Sequence, residues 1–145
     1  AQHVLDSTSD AFRTDLVSAL TETGATIAFD AIGGGTLGGQ ILAAMEQAAV
    51  ARMASYSRYG SDTFKQLYIY GALDLGPTSF NRSFGFSWSI SGFLLTPFMQ
   101  KAGMETVGKM RQRVVDELTT TFKSHYSHRV TLEQALDVTT LQAYD

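Results

Sequence analysis

The stretch "TIAFDAIGGGTLGGQILAAM", residues 26–45, decides how this chain is read. An apolar run with β-branched residues, Thr26–Ile32, leads into Gly33-x-Gly35-x-x-Gly38, and a helix-forming run follows. The order strand, glycine turn, helix fits two places in an α/β fold. In one, the glycines cradle the pyrophosphate of a dinucleotide, and backbone amides at the helix start hold the charge. In the other, they let the helix lie close to a strand and let backbone approach another part of a ligand.

Two features weigh against the phosphate cradle. A dinucleotide turn is followed about 20 residues later by an acid that binds a ribose hydroxyl. Here the first acid associated with the next strand is Asp74, 36 residues past Gly38. Asp30 also sets a negative charge just ahead of the turn, where it repels a phosphate. The close-packing reading is preferred. Asp30 itself is expected to accept hydrogen bonds from turn amides rather than to act as a general base.

Outward from this stretch, strand and helix signals alternate. His3–Asp6 reads as a short strand. Ser9 or Asp10 then caps a helix carrying Phe12, Leu16 and Leu20, and Gly24 ends it. The helix after the glycine turn runs from about Thr36 to Met53, and residues 54–64 form an exposed connection. Lys65–Leu73 is the next strand, followed by a Gly/Pro/Asn loop to about Arg82. Residues 86–95, "FSWSISGFLL", form another strand that Pro97 stops. An amphipathic helix from about Met104 to Lys123 aligns Val107, Met110, Val114, Leu118 and Phe122. Thr131-x-x-Gln134 is a capping box for a last helix. The order predicts an α/β fold with a largely parallel sheet.

Composition excludes several function classes. The chain has 145 residues, 44% of them hydrophobic, enough for a single globular domain with a real core. Its net charge is −3, which argues against nucleic-acid binding, although residues 101–129 are locally basic. No cysteine is present, so disulfides, thiol catalysis and thiolate zinc sites are excluded, and a cytoplasmic location is expected. Ser83–Gln100 carries no charge, yet its serines, glycines and Pro97 make a membrane span improbable. His125-x-x-His128 has no visible third ligand, so no metal is expected. There is no Tyr-x-x-x-Lys and no Gly-x-Ser-x-Gly, which disfavours a short-chain dehydrogenase and an α/β-hydrolase.

The segments "HVLDSTSDAF", "ATIAFDAIGGGTLGGQILAAM", "LYIYGALD", "SISGFLLTPF" and "RVTLEQALD" occur in the order and spacing of the medium-chain dehydrogenase/reductase superfamily. The sequence most resembles its zinc-independent, quinone oxidoreductase-like members. The resemblance implies the carboxyl-terminal part of a Rossmann-like NAD(P)-binding domain over residues 1–145, entered at the third strand. On that reading the fingerprint turn, the catalytic domain and the last strand lie outside this sequence, and "DAIGGG" ends the fourth strand. The implied chemistry is hydride transfer from NADPH or NADH to a quinone, activated alkene or carbonyl, without zinc. The catalytic residues are not identified.

The same resemblance places the nicotinamide half of the cofactor over the carboxyl ends of the later strands. Ala31, Ile32 and Gly33 would face the nicotinamide ribose, and Tyr70, Gly71 and Ala72 would line the ring. The backbone carbonyl and amide groups of Phe93 and Leu95 would pair with the carboxamide. The alternative is that Gly71 and Gly92 only relieve crowding. The resemblance further implies a small-molecule substrate and a homodimer through the Ser87–Leu95 strand. The 145 residues alone are expected to bind cofactor weakly, to oxidise no NAD(P)H and to be oligomeric. A second reading, from a different class, is a non-catalytic α/β binding or assembly module.

Overall fold

A computed structural model describes residues 1–126 and 128–143. The chain divides into two units, Ala1–Phe98 and Met99–Asp145. The first is a mixed α/β unit with parallel strands flanked by helices. In sequence order it holds α1 (Phe12–Thr23), β1 (Ile27–Asp30), β2 (Gly33–Gly35), α2 (Leu37–Val50), β3 (Lys65–Ile69), β4 (Asp74–Thr78) and β5 (Trp88–Gly92). Three strands form a parallel sheet in the order β1-β3-β5, with Ala28 opposite Leu67 and Leu67 opposite Ile90. A parallel pair needs a long crossover between strands, and α2 supplies it between β1 and β3.

Strand alternation sorts the side chains. Ala28, Leu67 and Ile90 share one face with Trp88, and they meet Leu20 of α1 and Leu42, Met45 and Ala48 of α2 in the core. Leu42, Leu67 and Phe84 are fully buried. The opposite face carries Phe29, Tyr68 and, beyond the strand ends, Tyr70 and Phe93. Their rings stack or meet edge-on at 5.2–6.4 Å.

The glycines of α2 explain how closely it can lie on the sheet. A methyl group added at Gly38 would stand 2.7 Å from Leu67 Cδ2, and one at Gly39 would stand 3.2 Å from the Ser79 carbonyl. These are packing glycines, as preferred from the sequence. Gly33–Gly35 is a strand rather than an open cradle: β2 pairs in parallel with β4, and Thr78 Oγ1 donates to the Gly33 carbonyl at 2.6 Å.

Several expected elements differ. His3–Asp6 is not a strand; Val4 is exposed, and Asp6 Oδ1 closes a turn by accepting from Thr8 N–H at 2.9 Å. Ser9 and Asp10 do not cap α1, whose N-cap position is Ala11, while Gly24 ends the helix at φ 66° as expected. The Gly/Pro/Asn loop contains β4. The strand expected over residues 86–95 ends at Gly92, and Pro97 stands in the first turn of α3 (Leu95–Asp116) rather than stopping a strand. A proline fits there because first-turn amides have no partner within the helix. The helix expected over Met104–Lys123 starts as expected, just past a break at Gly103, but ends at Asp116. Gly103 makes that break at φ 81° and ψ 160°.

In the second unit, Val107 is buried while Met110, Val114, Leu118 and Phe122 of the expected stripe are exposed. The capping box forms: Thr131 N–H donates to Gln134 Oε1 at 2.9 Å, and Gln134 N–H donates to Thr131 Oγ1 at 3.3 Å. It introduces a single 3₁₀ turn, Gln134–Leu136, before α4 (Val138–Gln142), instead of one helix. Among the described residues no helix is long and apolar enough to cross a membrane.

Candidate functional site

The carboxyl ends of β1, β3 and β5 stand side by side, and the turns leaving them are joined by backbone. Asp30 is buried, and its Oδ1 accepts from the amides of Ile32 at 2.8 Å and Gly33 at 3.2 Å. This is the role its sequence position suggested. Its Oδ2 is buried without a hydrogen-bond partner, on the side of Gly38. The Asp30 carbonyl accepts from Tyr70 N–H at 2.9 Å, and the Ile32 carbonyl accepts from Asp74 N–H at 2.9 Å. Residues 30–33 and 70–74 are therefore one bonded ledge.

Ala31, Ile32, Gly33, Tyr70, Gly71 and Ala72 all belong to that ledge. Gly33 adopts φ 86°, and a side chain there would press on the Gly71 carbonyl at 2.9 Å. A side chain at Gly71 would run into the backbone of Ala31. Glycine at 71 thus allows two turns to touch. Gly92 differs: nothing lies within 4 Å of where its Cβ would stand. The crowding explanation suits Gly71 and fails at Gly92, where the structure leaves open space.

Phe93 continues the ladder, its N–H donating to the Ile69 carbonyl at 2.8 Å. Its own carbonyl has no backbone partner among the described residues, because the residue four positions on is Pro97, which has no N–H. Leu95 is the first residue of α3, so its N–H is among the unpaired donors of a helix start. One free acceptor and one free donor, two residues apart, thus follow Gly92 directly in the chain.

No protein-family model and no curated protein matches the sequence. Its fold matches a solved one. A crystal structure from Mesorhizobium loti, of a protein provisionally described as an NADPH:quinone reductase, superposes on 100% of the chain. The TM-score is 0.65 and the sequence identity 21%. The chain spans 38% of the length of that protein.

The sequence reading missed the polar centre at the amino ends of the strands. Lys65, at the start of β3, is fully buried, and its Nζ lies 2.5 Å from Glu46 Oε2 of α2. Nζ also donates to the Thr63 carbonyl at 2.7 Å and to Ser61 Oγ at 3.2 Å. The Ser61 hydroxyl and amide donate to the two Glu46 oxygens at 2.6 and 2.7 Å. Burial pushes the Glu46 carboxyl up, but the bonds from Lys65 and Ser61, with the lysine charge, outweigh burial and hold its pKa below the usual value. Period two gave a signal: Lys65 alternates with Leu67 and Ile69, which places it on the core face. Glu46 is likewise the one charged residue of α2. Among the described residues no group of His, Cys, Asp or Glu is arranged to hold a metal ion.

Proposed function

We propose that this protein is the nicotinamide-facing part of an NAD(P)H-dependent, zinc-independent oxidoreductase acting on a quinone or another activated acceptor. The observation that carries the reading is the pair of free backbone groups, Phe93 C=O and Leu95 N–H, that follow the uncrowded Gly92 in the chain. A nicotinamide carboxamide offers one donor and one acceptor, and this pair complements it. The site also lies at the carboxyl ends of parallel strands, where α/β folds bind ligands. The fold shared with the Mesorhizobium protein, itself described as an NADPH:quinone reductase, supports the same reading.

The remaining residues have distinct tasks in this scheme. Four nearby amides, those of Ile32, Gly33, Tyr70 and Phe93, are already bonded, so the ledge presents a fixed surface and few competing donors. Ala31, Gly71 and Ala72 keep that surface low enough for a ring to approach. Reduced nicotinamide supplies the hydride when bound. The protein holds the carboxamide at Phe93 and Leu95, and so fixes which face of the ring is presented. We also propose a homodimer through Ser87–Leu95, supported by β5 forming an edge of the sheet.

An amide NMR titration with NADPH tests the reading. Shifts are expected at Gly92–Leu95 and at residues 31–33 and 70–72. Gly92→Val narrows the open space, and its Cβ has no neighbour within 4 Å, so it should remove those shifts while leaving urea stability unchanged. Shifts confined to Gly34–Gly39 would mean that the glycine turn holds phosphate. Those shifts, or none at all, overturn the proposal.

A further inference from the structure

A second surface, away from the carboxyl-end ledge, has the composition of a recognition site. Tyr56 is 92% exposed, Tyr59 61% and Phe86 83%. The rings of Tyr59 and Phe86 meet edge-on at 6.4 Å, and the Arg58 guanidinium lies 4.9 Å from the centre of the Tyr59 ring. Phe86 in turn shares a cleft of about 380 Å³ with Asn81, Arg82, Gly85 and Trp88. Tyrosine and arginine are enriched among residues that dominate binding energy at protein interfaces.

The two segments that carry these side chains are fixed from beneath. Gly60 and Gly85 both lie against Glu46 Oε1, so closely that a methyl group on Gly85 would stand 2.8 Å from it. The Ser87 hydroxyl donates to the Asp62 carbonyl at 3.0 Å, tying one segment to the other. A buried ion pair is a weak source of net stability, because desolvation cancels much of the attraction. Its effect here is geometric: one carboxylate seats the residue after Tyr59 and the residue before Phe86.

Arg82 sits on a turn of its own. It is the one non-glycine among the described residues with positive φ, at 54°. The Asn81 side chain closes that turn, its Oδ1 accepting from Ser83 N–H at 3.1 Å and from Ser83 Oγ at 2.8 Å. Neither Arg58 nor Arg82 takes part in an ion pair among the described residues. Residues 51–64 and 79–87 hold Arg52, Arg58 and Arg82 against Asp62 alone, in a protein of net charge −3.

We propose that Arg58, Tyr59, Arg82 and Phe86 form a docking site for an acidic segment of a partner protein that carries an aromatic side chain. The carboxylates of that segment meet the two guanidinium groups, and its ring lies on Tyr59 and Phe86. Two unpaired arginines match a short acidic peptide better than a polynucleotide, which needs a longer basic track. The site is separate from the proposed cofactor ledge and stands or falls without it.

Trp88, the single tryptophan, lines the same cleft and reports occupancy by its fluorescence. Blocked hexapeptides with one Phe or Tyr among Asp and Glu are expected to give a saturable change in its emission. Arg82→Ala, Arg58→Ala and Phe86→Ala should each weaken binding at least about fivefold, as should replacing the peptide's aromatic residue by alanine. Arg82→Gly relieves the positive φ, so it should keep or raise Tm while binding is lost; a merely structural arginine gives the reverse. No saturable change, a change insensitive to Arg82→Ala, or tighter binding of oligothymidylate than of any peptide overturns the proposal.

Discussion

At the carboxyl ends of β1, β3 and β5 the turns meet through backbone, and glycine lets them touch. At the amino ends the connecting segments close on a buried lysine–glutamate pair. The first arrangement leaves polar backbone groups free at Phe93 and Leu95 and an uncrowded position at Gly92. The second satisfies every member of its network within the protein and leaves the chemistry to exposed rings and guanidinium groups above it. One end of the sheet is built to let a flat molecule approach backbone. The other is built to hold side chains still.

Substitutions should fail differently at the two ends. Lys65→Met leaves the Glu46 carboxylate buried without its cation and should cost about 3–5 kcal/mol. The double variant Glu46→Leu, Lys65→Met should recover most of that loss in urea unfolding, and a loss that persists would show that the pair fixes geometry as well as charge. At the carboxyl end, Gly71→Ala forces two backbone turns apart, with an expected cost of about 1–3 kcal/mol. If it proved neutral, the ledge would be looser than its bonds imply.

Acid sharpens the contrast. The folded Glu46 carboxyl has a pKa below the ordinary glutamate value of 4.5. Its contribution to stability is therefore complete above that value and is lost as pH falls through the lower, folded pKa. Unfolding free energy measured between neutral and acid pH should fall less steeply in Glu46→Gln than in the parent. Parallel acid limbs would mean that another carboxyl governs the decline.

Smaller effects belong to the ledge. Asp30→Ala deprives two amides of their acceptor and should cost about 1–2 kcal/mol, whereas Asp30→Asn keeps an oxygen in place and should cost less. Thr78→Val removes the bond to the Gly33 carbonyl, for about 1 kcal/mol. Thermal unfolding of these variants orders them, and a Thr78 effect above that of Asp30 would shift weight from the turn to the β2–β4 pair.

The three parallel strands are legible in the sequence because each is an apolar or β-branched run of the right length. Even there, the ends differ: Leu73 lies beyond β3, and Leu95 belongs to a helix. β2 and β4 are not legible, since three glycines carry no strand preference and Pro77 reads as a breaker. Their pairing comes from the ledge, not from propensity. The role of Asp30 is legible because it is local, two and three residues away. Glu46, Ser61 and Lys65 escape a sequence reading because Glu46 lies 15 and 19 residues from its polar partners, and only the crossover brings them together.

The parallel pairing of β1 with β3 makes the folding of this sheet depend on a contact between distant residues. Gln66 N–H reaches the Thr26 carbonyl across 40 residues, and no hairpin offers a shorter first step within this sheet. In the folded protein the same closure seats α2 on the sheet and sets Lys65 against Glu46. Until β1 and β3 pair, Leu67, fully buried in the folded protein, sits in an open strand that neighbouring molecules can capture. Refolding yield should therefore drop as protein concentration rises, and it should drop sooner in any variant that delays the meeting of Glu46 and Lys65.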